Sequence, residues 1–388
     1  MPKTSTRRGG GWLRSWSVLA LAIGCSSVAI AADYTSTVLA TGLNNPRGLA
    51  FGPDGALYIT EAGIAAGSGP STLIRGEANT YTATGSLTRW FGGTQTRVLT
   101  GLPSIYAANS GDVVGANGIA FAPSGAAVLA IGGGIDPTVR TTDLAPLGVN
   151  LARLVTVGGP SIDLGAYEAL HNPAGGPLDT DPWHVAAVAG GFLVTDAGGN
   201  SLLRVASDGT ISTVASFASR ALGGPFPTEP VPTGVAVGPD GATYVSELTG
   251  FPFVPGAARI YRIAPGGGTP TIFATGFTML TDIAFGADGS LYALEYDSNG
   301  LLQPGSGGAL WKVASDGTRS LVFSDGLESP TGLAIGADGF YVSNFGASSG
   351  QGQVVLIAAI PEPETYALML FGLGAIGVLQ RRRSRPTR

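Results

Sequence analysis

The sequence predicts an all-β fold, a closed ring built from like units. One phrase, residues 46–63 (PRGLAFGPDGALYITEAG), returns along the chain with its glycine, apolar and Asp-Gly positions in register. Its variants begin at Asn117, Pro232, Thr281 and Pro330, and a looser copy begins at Asp181. A repeat of about 50 residues that holds several short strands is typical of a propeller blade. Six copies therefore predict a six-bladed β-propeller.

Each repeat begins with a first strand, an Asp-Gly turn and a second strand. In the first copy these elements are 48–51, Asp54-Gly55 and 57–60. Glycine accepts the positive φ of tight hairpin turns, and aspartate bonds the backbone beside it. We therefore interpret the turn aspartates as structural. The other Asp-Gly turns lie at Asp208, Asp240, Asp288, Asp316 and Asp338.

Third and fourth strands complete the blades. Third strands are predicted at 85–90, 150–156, 201–206, 258–264, 308–314 and 352–358, and fourth strands at 98–102, 162–167, 211–217, 271–277 and 321–327. The last copy lacks a fourth strand, but 37–43 resembles 271–277. We expect this N-terminal strand to complete the last blade of a propeller spanning 33–359. Because that pairing leaves no open sheet edge, we expect a monomer.

Two blades carry insertions between their second and third strands. Residues 63–81 lengthen the first blade and 132–148 lengthen the second. Loops of this length in a compact domain are more often functional than not. We expect both insertions to overhang one face of the ring.

The charge of the chain differs between its body and its ends. Residues 33–360 contain 12 basic and 24 acidic side chains, a net charge of −12, although the whole chain has −5. Such a body repels phosphate backbones, and no basic stripe is present, so we expect no nucleic-acid partner. A cationic or polyhydroxylated partner fits better.

Residues 1–32 have the layout of a secretory signal peptide. A basic start is followed by an apolar run at 16–30 and by small residues before Asp33. Cys25 is the only cysteine, and its surroundings loosely resemble a lipoprotein processing box, so lipidation stays an alternative. Cleavage after Ala31 or Ala32 would leave a mature chain without thiol chemistry.

The C-terminal segment 360–388 has three parts. Pro361, Glu362 and Pro363 precede an apolar helix at 365–380 and an arginine-rich tail at 381–388. This layout resembles the PEP-CTERM sorting signal of Gram-negative bacteria that make exopolysaccharide. The resemblance implies recognition by an exosortase-type protease after passage through the secretion machinery, a transient inner-membrane anchor, and delivery to the cell surface or matrix. A tail anchor that stays in the membrane is the alternative.

Polar residues are predicted to converge at one mouth of the channel, because second strands end and first strands begin on the same face. The second strands end at Glu61, Gly132, Asp196, Glu247, Glu295 and Asn344, and the first strands are entered at Arg47, Asn117, His184, Thr233, Asp282 and Thr331. The predicted ligand-binding residues are Arg47, Asn117, His184, Asp282 and Asn344.

The carboxylates at this mouth predict a site for a hard cation or a sugar. Glu61, Asp196, Glu247 and Glu295 are the candidate metal ligands, and oxygen ligands favour calcium over zinc. Alternatively, these acids pair with Arg47, bind backbone amides at blade junctions or face water. His184, in the sequence DPWH, is the candidate general base or ligand.

Several stretches resemble the ScyD/ScyE-type propeller proteins associated with scytonemin pigment gene clusters. They are DAGGNSLLR from Asp196, SELTGFPF from Ser246, PTGLA from Pro330 and GQGQV from Gly350. The resemblance implies a secreted propeller. More distantly, the blades are similar to NHL repeats, gluconolactonase-like proteins and quinone-dependent sugar dehydrogenases.

Two functions remain open on these grounds. The first is a non-catalytic surface protein that binds polysaccharide, another protein or a small metabolite through the channel face. The second is a calcium-dependent enzyme that acts on a sugar or lactone, with His184 as base.

Overall fold

The computed structural model describes residues 33–224, 226–303 and 307–360. Their strands form six antiparallel sheets arranged as the blades of a propeller, so the six-bladed, all-β prediction is confirmed. The predicted signal peptide 1–32, sorting motif 361–363, apolar helix 365–380 and arginine-rich tail lie outside the described residues. Within the described ranges, no helix is long and apolar enough to cross a membrane.

The N-terminal strand β1 (Tyr34–Asn44) belongs to the last blade, and the chain then builds the first three blades in order. Blade one contains β2 (Pro46–Phe51), β3 (Leu57–Glu61), β4 (Ser71–Ile74), β5 (Glu77–Phe91), β6 (Thr94–Ala107) and β7 (Val113–Val114). Blade two contains β8 (Ala116–Phe121), β9 (Ala127–Ile131), β10 (Arg153–Thr156) and β11 (Ser161–Asp163). Blade three contains β12 (Pro182–Val188), β13 (Gly191–Asp196), β14 (Ser201–Ala206) and β15 (Ile211–Ser216).

The remaining blades repeat the same four-stranded order. Blade four contains β16 (Pro232–Val237), β17 (Thr243–Glu247), β18 (Ala258–Ile263) and β19 (Thr271–Phe277). Blade five contains β20 (Leu280–Phe285), β21 (Leu291–Glu295), β22 (Ala309–Val313) and β23 (Arg319–Phe323). Blade six contains β24 (Gly332–Gly336), β25 (Gly339–Asn344) and β26 (Ser349–Ala359), and β1 pairs with β26. The predicted closure of the ring by the N-terminal strand is confirmed.

The predicted fourth strand of blade two is partly wrong. The segment 162–167 was expected to be the fourth strand of blade two, but β11 ends at Asp163 and the helix α1 (Leu164–His171) follows. The Asp163 side chain accepts a hydrogen bond from the backbone N–H of Ala166 at 2.8 Å and caps this helix. Aspartate is a preferred N-cap because it satisfies a donor that the first helical turn leaves free.

The core lies between neighbouring blades. Six clusters of buried apolar residues each join two adjacent blades around the ring. A seventh cluster, with Tyr81, Ile105, Ile135, Leu144 and Leu151, packs the insertion of blade one against that of blade two. The two long insertions therefore form one body on one face of the ring.

Glycines let the inner strands approach each other closely. A Cβ added to Gly118 would lie 2.6 Å from the carbonyl oxygen of Trp183, and one added to Gly234 would lie 2.6 Å from the backbone nitrogen of Ile283. Gly48 and Gly332 occupy the equivalent positions of blades one and six. The two other blades carry His184 and Asp282 there, so their side chains enter the narrow centre of the ring.

The turn aspartates stabilise the Asp-Gly turns on the face opposite the ends of the second strands. Asp54, Asp240 and Asp288 each accept a hydrogen bond from the backbone N–H two residues further on. Each also forms an ion pair with a basic residue of its third strand. We call this side, where the Asp-Gly turns lie, the lower face. The upper face is the side where inner strands begin and second strands end.

Candidate functional site

His184 and Asp282 meet at the centre of the ring. The Nε2 atom of His184 lies 3.5 Å from Oδ1 of Asp282, and its Nδ1 accepts a hydrogen bond from the backbone N–H of Val235. The Asp282 carboxylate also accepts hydrogen bonds from the N–H groups of Ile283 and Leu333. Burial raises the pKa of Asp282, while the nearby His184 opposes that rise. This pair joins blades three and five past the glycine of blade four.

Arg47 extends across the upper end of the channel. Its guanidinium donates to the carbonyl oxygens of Gly346 and Val113 and lies 5.7 Å from the ring centroid of Trp183. Burial lowers the pKa of Arg47, against the opposing effects of Tyr296 and Asp181. A partly buried cation with these fixed partners orders the channel mouth.

Four of the five predicted ligand-binding residues lie around the channel. Besides Arg47, His184 and Asp282, Asn117 donates from Nδ2 to the carbonyl oxygen of Pro182 and to Oδ1 of Asp181. Asn344 is not in this group. Its Oδ1 accepts from the N–H of Glu328 and its Nδ2 donates to the carbonyl oxygen of Gly326 at a blade junction.

The four carboxylates predicted as metal ligands each have separate partners. Glu61 is fully buried, accepts two hydrogen bonds from Arg97, and accepts others from the Thr88 hydroxyl and the Asn44 N–H. Burial raises its pKa, but these hydrogen bonds outweigh burial and leave the pKa of Glu61 below its ordinary value. Glu295 holds the equivalent place in blade five, where it accepts from the Thr278 N–H.

The other two acids are also engaged within their own surroundings. Glu247 pairs with both terminal nitrogens of Arg220 and accepts a hydrogen bond from the Tyr261 hydroxyl, although burial still raises the pKa of Glu247. Asp196 accepts from the Thr180 hydroxyl and from the N–H groups of Asp181 and Gly199. Among the residues that the structure describes, no group of three or more His, Cys, Asp or Glu side chains is arranged to hold a metal ion.

A cavity that the sequence interpretation missed lies beside the channel on the upper face. Its volume is about 870 Å³, and it is lined by the linkers into blades three and four, the loop after β17, and the turn between β4 and β5. We call it the acidic cavity. Its principal side chains are Arg75, Asp179, Asp181, Phe226, Glu229, Phe251 and Phe253.

Asp179 and Asp181 form the polar side of the acidic cavity. Oδ1 of Asp181 accepts hydrogen bonds from Asn117 Nδ2 and the Gly133 N–H, both at 3.1 Å, whereas Oδ1 of Asp179 is buried without a hydrogen-bond partner in the described chain. Burial, reinforced by the charges of Asp179 and Asp196, raises the pKa of Asp181 to about 8. Burial and Asp196 raise the pKa of Asp179 to about 6.

Two further acids, Glu168 and Asp196, lie close to Asp179 and Asp181. A Cβ added to Gly199 would lie 2.9 Å from Oε2 of Glu168 and 3.1 Å from Cγ of Asp196, so both carboxyls crowd this glycine. Burial, with the charges of Asp196 and Asp179, raises the pKa of Glu168 to about 7. Strongly perturbed carboxyls in a concave site are a feature of functional sites.

Aromatic rings form the apolar side of the acidic cavity. Phe226 and Phe251 are 76% and 60% exposed, and Phe251 packs edge-on against Phe253 with 6.3 Å between ring centroids. Large exposed apolar side chains at a cavity rim are typical of binding surfaces. A signal existed in the sequence, since DTD at 179–181 and FPF at 251–253 each place two side chains of one type, carboxylate or aromatic, within three positions.

Comparison with known proteins identifies the C-terminal segment. Residues 359–383 match the PEP-CTERM protein-sorting motif, so that prediction is confirmed. The motif indicates export, membrane-associated sorting and processing by exosortase-type machinery. No protein with a curated description matches the chain.

Several solved structures are similar to this chain at low identity. A putative gluconolactonase is 13% identical with a TM-score of 0.48, over 86% of this chain and 97% of that one. A catalytically inactive virginiamycin B lyase from Staphylococcus aureus, solved with quinupristin, is 15% identical with a TM-score of 0.47, over 84% of this chain and 99% of that one. At these scores the likeness carries no argument about activity.

Proposed function

We propose that this exported chain is a non-catalytic binding protein of the cell surface or matrix, and that the acidic cavity takes its ligand. The ligand is a segment of polysaccharide or a small polar metabolite. The observation that carries the proposal is the cavity itself, which combines partly buried carboxyls with exposed aromatic rings in a volume of about 870 Å³. Ligand sites of small molecules have this size and this mixture of apolar surface with a few polar groups.

The sorting signal of the protein supports the same proposal. The matched sorting motif indicates export and membrane-associated sorting, and we propose that the chain is delivered to the cell surface and released there by an exosortase-type protease. The stretch that resembles ScyD/ScyE-type proteins, ELTGFPF from Glu247, contains the Phe251 and Phe253 of the acidic cavity. Membership of that family is part of the proposal.

The test is calorimetric titration of exopolysaccharide fragments and polar metabolites into residues 33–360. We expect saturable binding that Phe251→Ala weakens at least tenfold, because an exposed rim residue contributes contact area without supporting the core. Phe91→Ala is the matched control, since Phe91 is 50% exposed and lies at the end of β5, away from the cavity. Equal weakening by both variants, or binding that neither variant changes, would contradict the assignment of the cavity.

A second candidate function is favoured by one observation. Asp179 and Asp181 line the same cavity and have pKa values raised to about 6 and about 8, which suits a general base and a general acid near neutral pH. An enzyme acting on a sugar or lactone would use them as such. Hydrolysis that Asp181→Asn abolishes while ligand binding persists would support the enzyme.

The calcium-dependent form of that enzyme stays a prediction. Calcium at Glu61 or Glu247 would have to displace the arginine that each carboxylate already binds. Calcium titrated into chelator-treated protein should therefore give the same heat in the wild-type protein and in Glu61→Gln. Saturable binding lost in that variant would restore the metal site.

A further inference from the structure

In the part of the chain that the structure describes, the acids in and around the cavity form no ion pairs, unlike Glu61 and Glu247, although Arg47 acts on Asp181 by lowering its pKa. Glu61 and Glu247 are each matched by an arginine. Within the described chain, none of the ion pairs includes Glu168, Asp179, Asp181, Asp196 or Glu229. Arg75 also lines the cavity and acts on Asp179 only at longer range, by lowering its pKa.

Three acceptor atoms in and around the cavity are buried without hydrogen-bond partners among the described residues, and one of them, on Asp179, belongs to the cavity lining itself. They are Oδ1 of Asp179, Oε2 of Glu168 and Oδ1 of Asn117. Glu168 and Asn117 are only 1% and 3% exposed. Nearly all buried polar atoms in native structures are paired, so orphaned acceptors indicate a missing donor.

A bound metal ion does not fit as the missing partner of these acceptor atoms. Metal ligands must converge on one point, and the described residues hold no such group of three. A protonated amine is less demanding, since its three N–H groups point in different directions and need only scattered acceptors. Its charge would also balance carboxylates that have no arginine of their own.

The aromatic side of the cavity fits the same chemistry. Cations bind favourably over the faces of aromatic rings, and the rings of Phe226, Phe251 and Phe253 line the same cavity as the carboxyls. The volume of about 870 Å³ far exceeds a bare ammonium group, so the cation belongs to a larger organic body.

We propose that the acidic cavity binds an organic cation, a protonated primary amine carried on a sugar or alkyl body, through Asp179 and Asp181 and the three phenylalanine rings. This inference rests on the proposed function, because it names the ligand class of the same cavity. The amine comes either from an amino-sugar unit of a polysaccharide or from a free amine metabolite.

Binding of such a cation is coupled to proton release. The groups around the site are Arg47, Arg75, Glu168, Asp179, Asp181, Asp196 and Glu229. At about pH 7, Asp181 is mostly protonated because its pKa is about 8, and a cation beside it favours the charged form. Amine binding therefore releases up to one proton and tightens as pH rises from about 6 to about 8.

The first experiment titrates hexylamine and hexanol into residues 33–360 by calorimetry in buffers of different ionisation enthalpy. An alkyl amine stays protonated over this pH range, as a lysine side chain does. We expect hexylamine to bind at least tenfold more tightly than hexanol, with a buffer dependence that reports up to one proton released. Asp179→Asn should lower the hexylamine affinity at least tenfold, whereas Asp208→Asn, in an exposed turn, should leave it unchanged.

The second experiment compares glucosamine oligomers with their N-acetylated counterparts at about pH 6. Tighter binding of the amine form assigns the cation to a polysaccharide, whereas binding of hexylamine alone assigns it to a free amine. If acetylated oligomers bind as well as the amine form and hexylamine binds no better than hexanol, the cation inference is overturned and the proposed binding function stands. If no ligand binds, or if Phe251→Ala and Asp179→Asn leave every affinity unchanged, the cation inference and the proposed binding function both fail.

Discussion

The replacement Asp181→Asn tests the electrostatics of the acidic cavity without any ligand. In the folded chain the pKa of Asp181 is about 8, against 3.8 for the ordinary group, so between these values the folded state holds a proton that the unfolded state has lost. Stability from this group is therefore fully present below about pH 4 and is lost as pH rises towards about 8. Asparagine cannot ionise and keeps an oxygen that accepts from Asn117 and Gly133.

The size of the effect follows from one proton. A single proton difference changes the free energy of unfolding by about 1.4 kcal/mol per pH unit. Between about pH 5 and about pH 7, the wild-type protein should lose about 2–3 kcal/mol relative to Asp181→Asn. Changes in the ionisation of Asp179 and Glu168 with pH occur in both proteins, so their effects on the free energy of unfolding largely cancel in the difference.

The assay is urea unfolding followed by tryptophan fluorescence at a series of pH values. Asp208→Asn is the control, because the pKa of this exposed carboxyl is lowered by hydrogen bonds from Thr210 and it stays ionised in both states over this range. The same pH slope in wild type and Asp181→Asn would refute the reasoning, since Asp181 would then be ionised when folded.

Three further predictions test the framework around the site. Glu247→Gln should reduce the free energy of unfolding by about 3 kcal/mol in urea titrations, because it leaves the largely buried Arg220 without its charged partner, and ligand binding should persist. Gly234→Ala should cost about 2–3 kcal/mol, because its Cβ would crowd the next inner strand, while Gly176→Ala, in open space, should be neutral; equal effects would contradict the close-approach argument. Deletion of residues 33–44 should expose the edge of β26 and produce dimers or aggregates in size-exclusion chromatography, and a stable monomer would contradict the role of β1.

The repeats made the architecture predictable. Strand β19 (Thr271–Phe277) and strand β14 (Ser201–Ala206) occur at the predicted bounds, because their apolar alternation and flanking turns are local signals. The pairing of β1 with β26 was also predictable, since residues 37–43 resemble 271–277 and a ring needs one more strand. Blade two differed at its end, where Asp163 caps a helix, and blade one differed in its insertion, which contains β4 and the start of a longer β5.

The site was less predictable, for a geometric reason. The sequence register places Glu61 at the upper end of a second strand, but side chains on a strand stand perpendicular to the sheet. In a propeller that direction leads along the junction between blades, so Glu61 meets Arg97 of its own blade and the Asn44 N–H of blade six rather than the channel. Only inner-strand residues such as His184 point to the centre.

Most of the acidic cavity lies outside the repeat register. Asp179 precedes the repeat copy that begins at Asp181, and Phe251 and Phe253 belong to a loop of the next blade, so the repeats do not predict that these side chains share one cavity. Their proximity arises from the packing of the consecutive blades three and four, and a local sequence pattern does not encode which loop side chains meet there.

The pairing of Tyr34 with Ala359 determines how the propeller would be oriented on a surface that holds its C-terminal end. Both ends of the described body, joined by the hydrogen bond from the Ile360 N–H to the Asp33 carbonyl oxygen, emerge on the lower face beside the Asp-Gly turns. A chain held at its C-terminal end would therefore stand with the acidic cavity directed outwards, away from the surface that holds it. Release from that surface would not be needed for the cavity to reach its ligand, so capture could begin while the protein is still tethered.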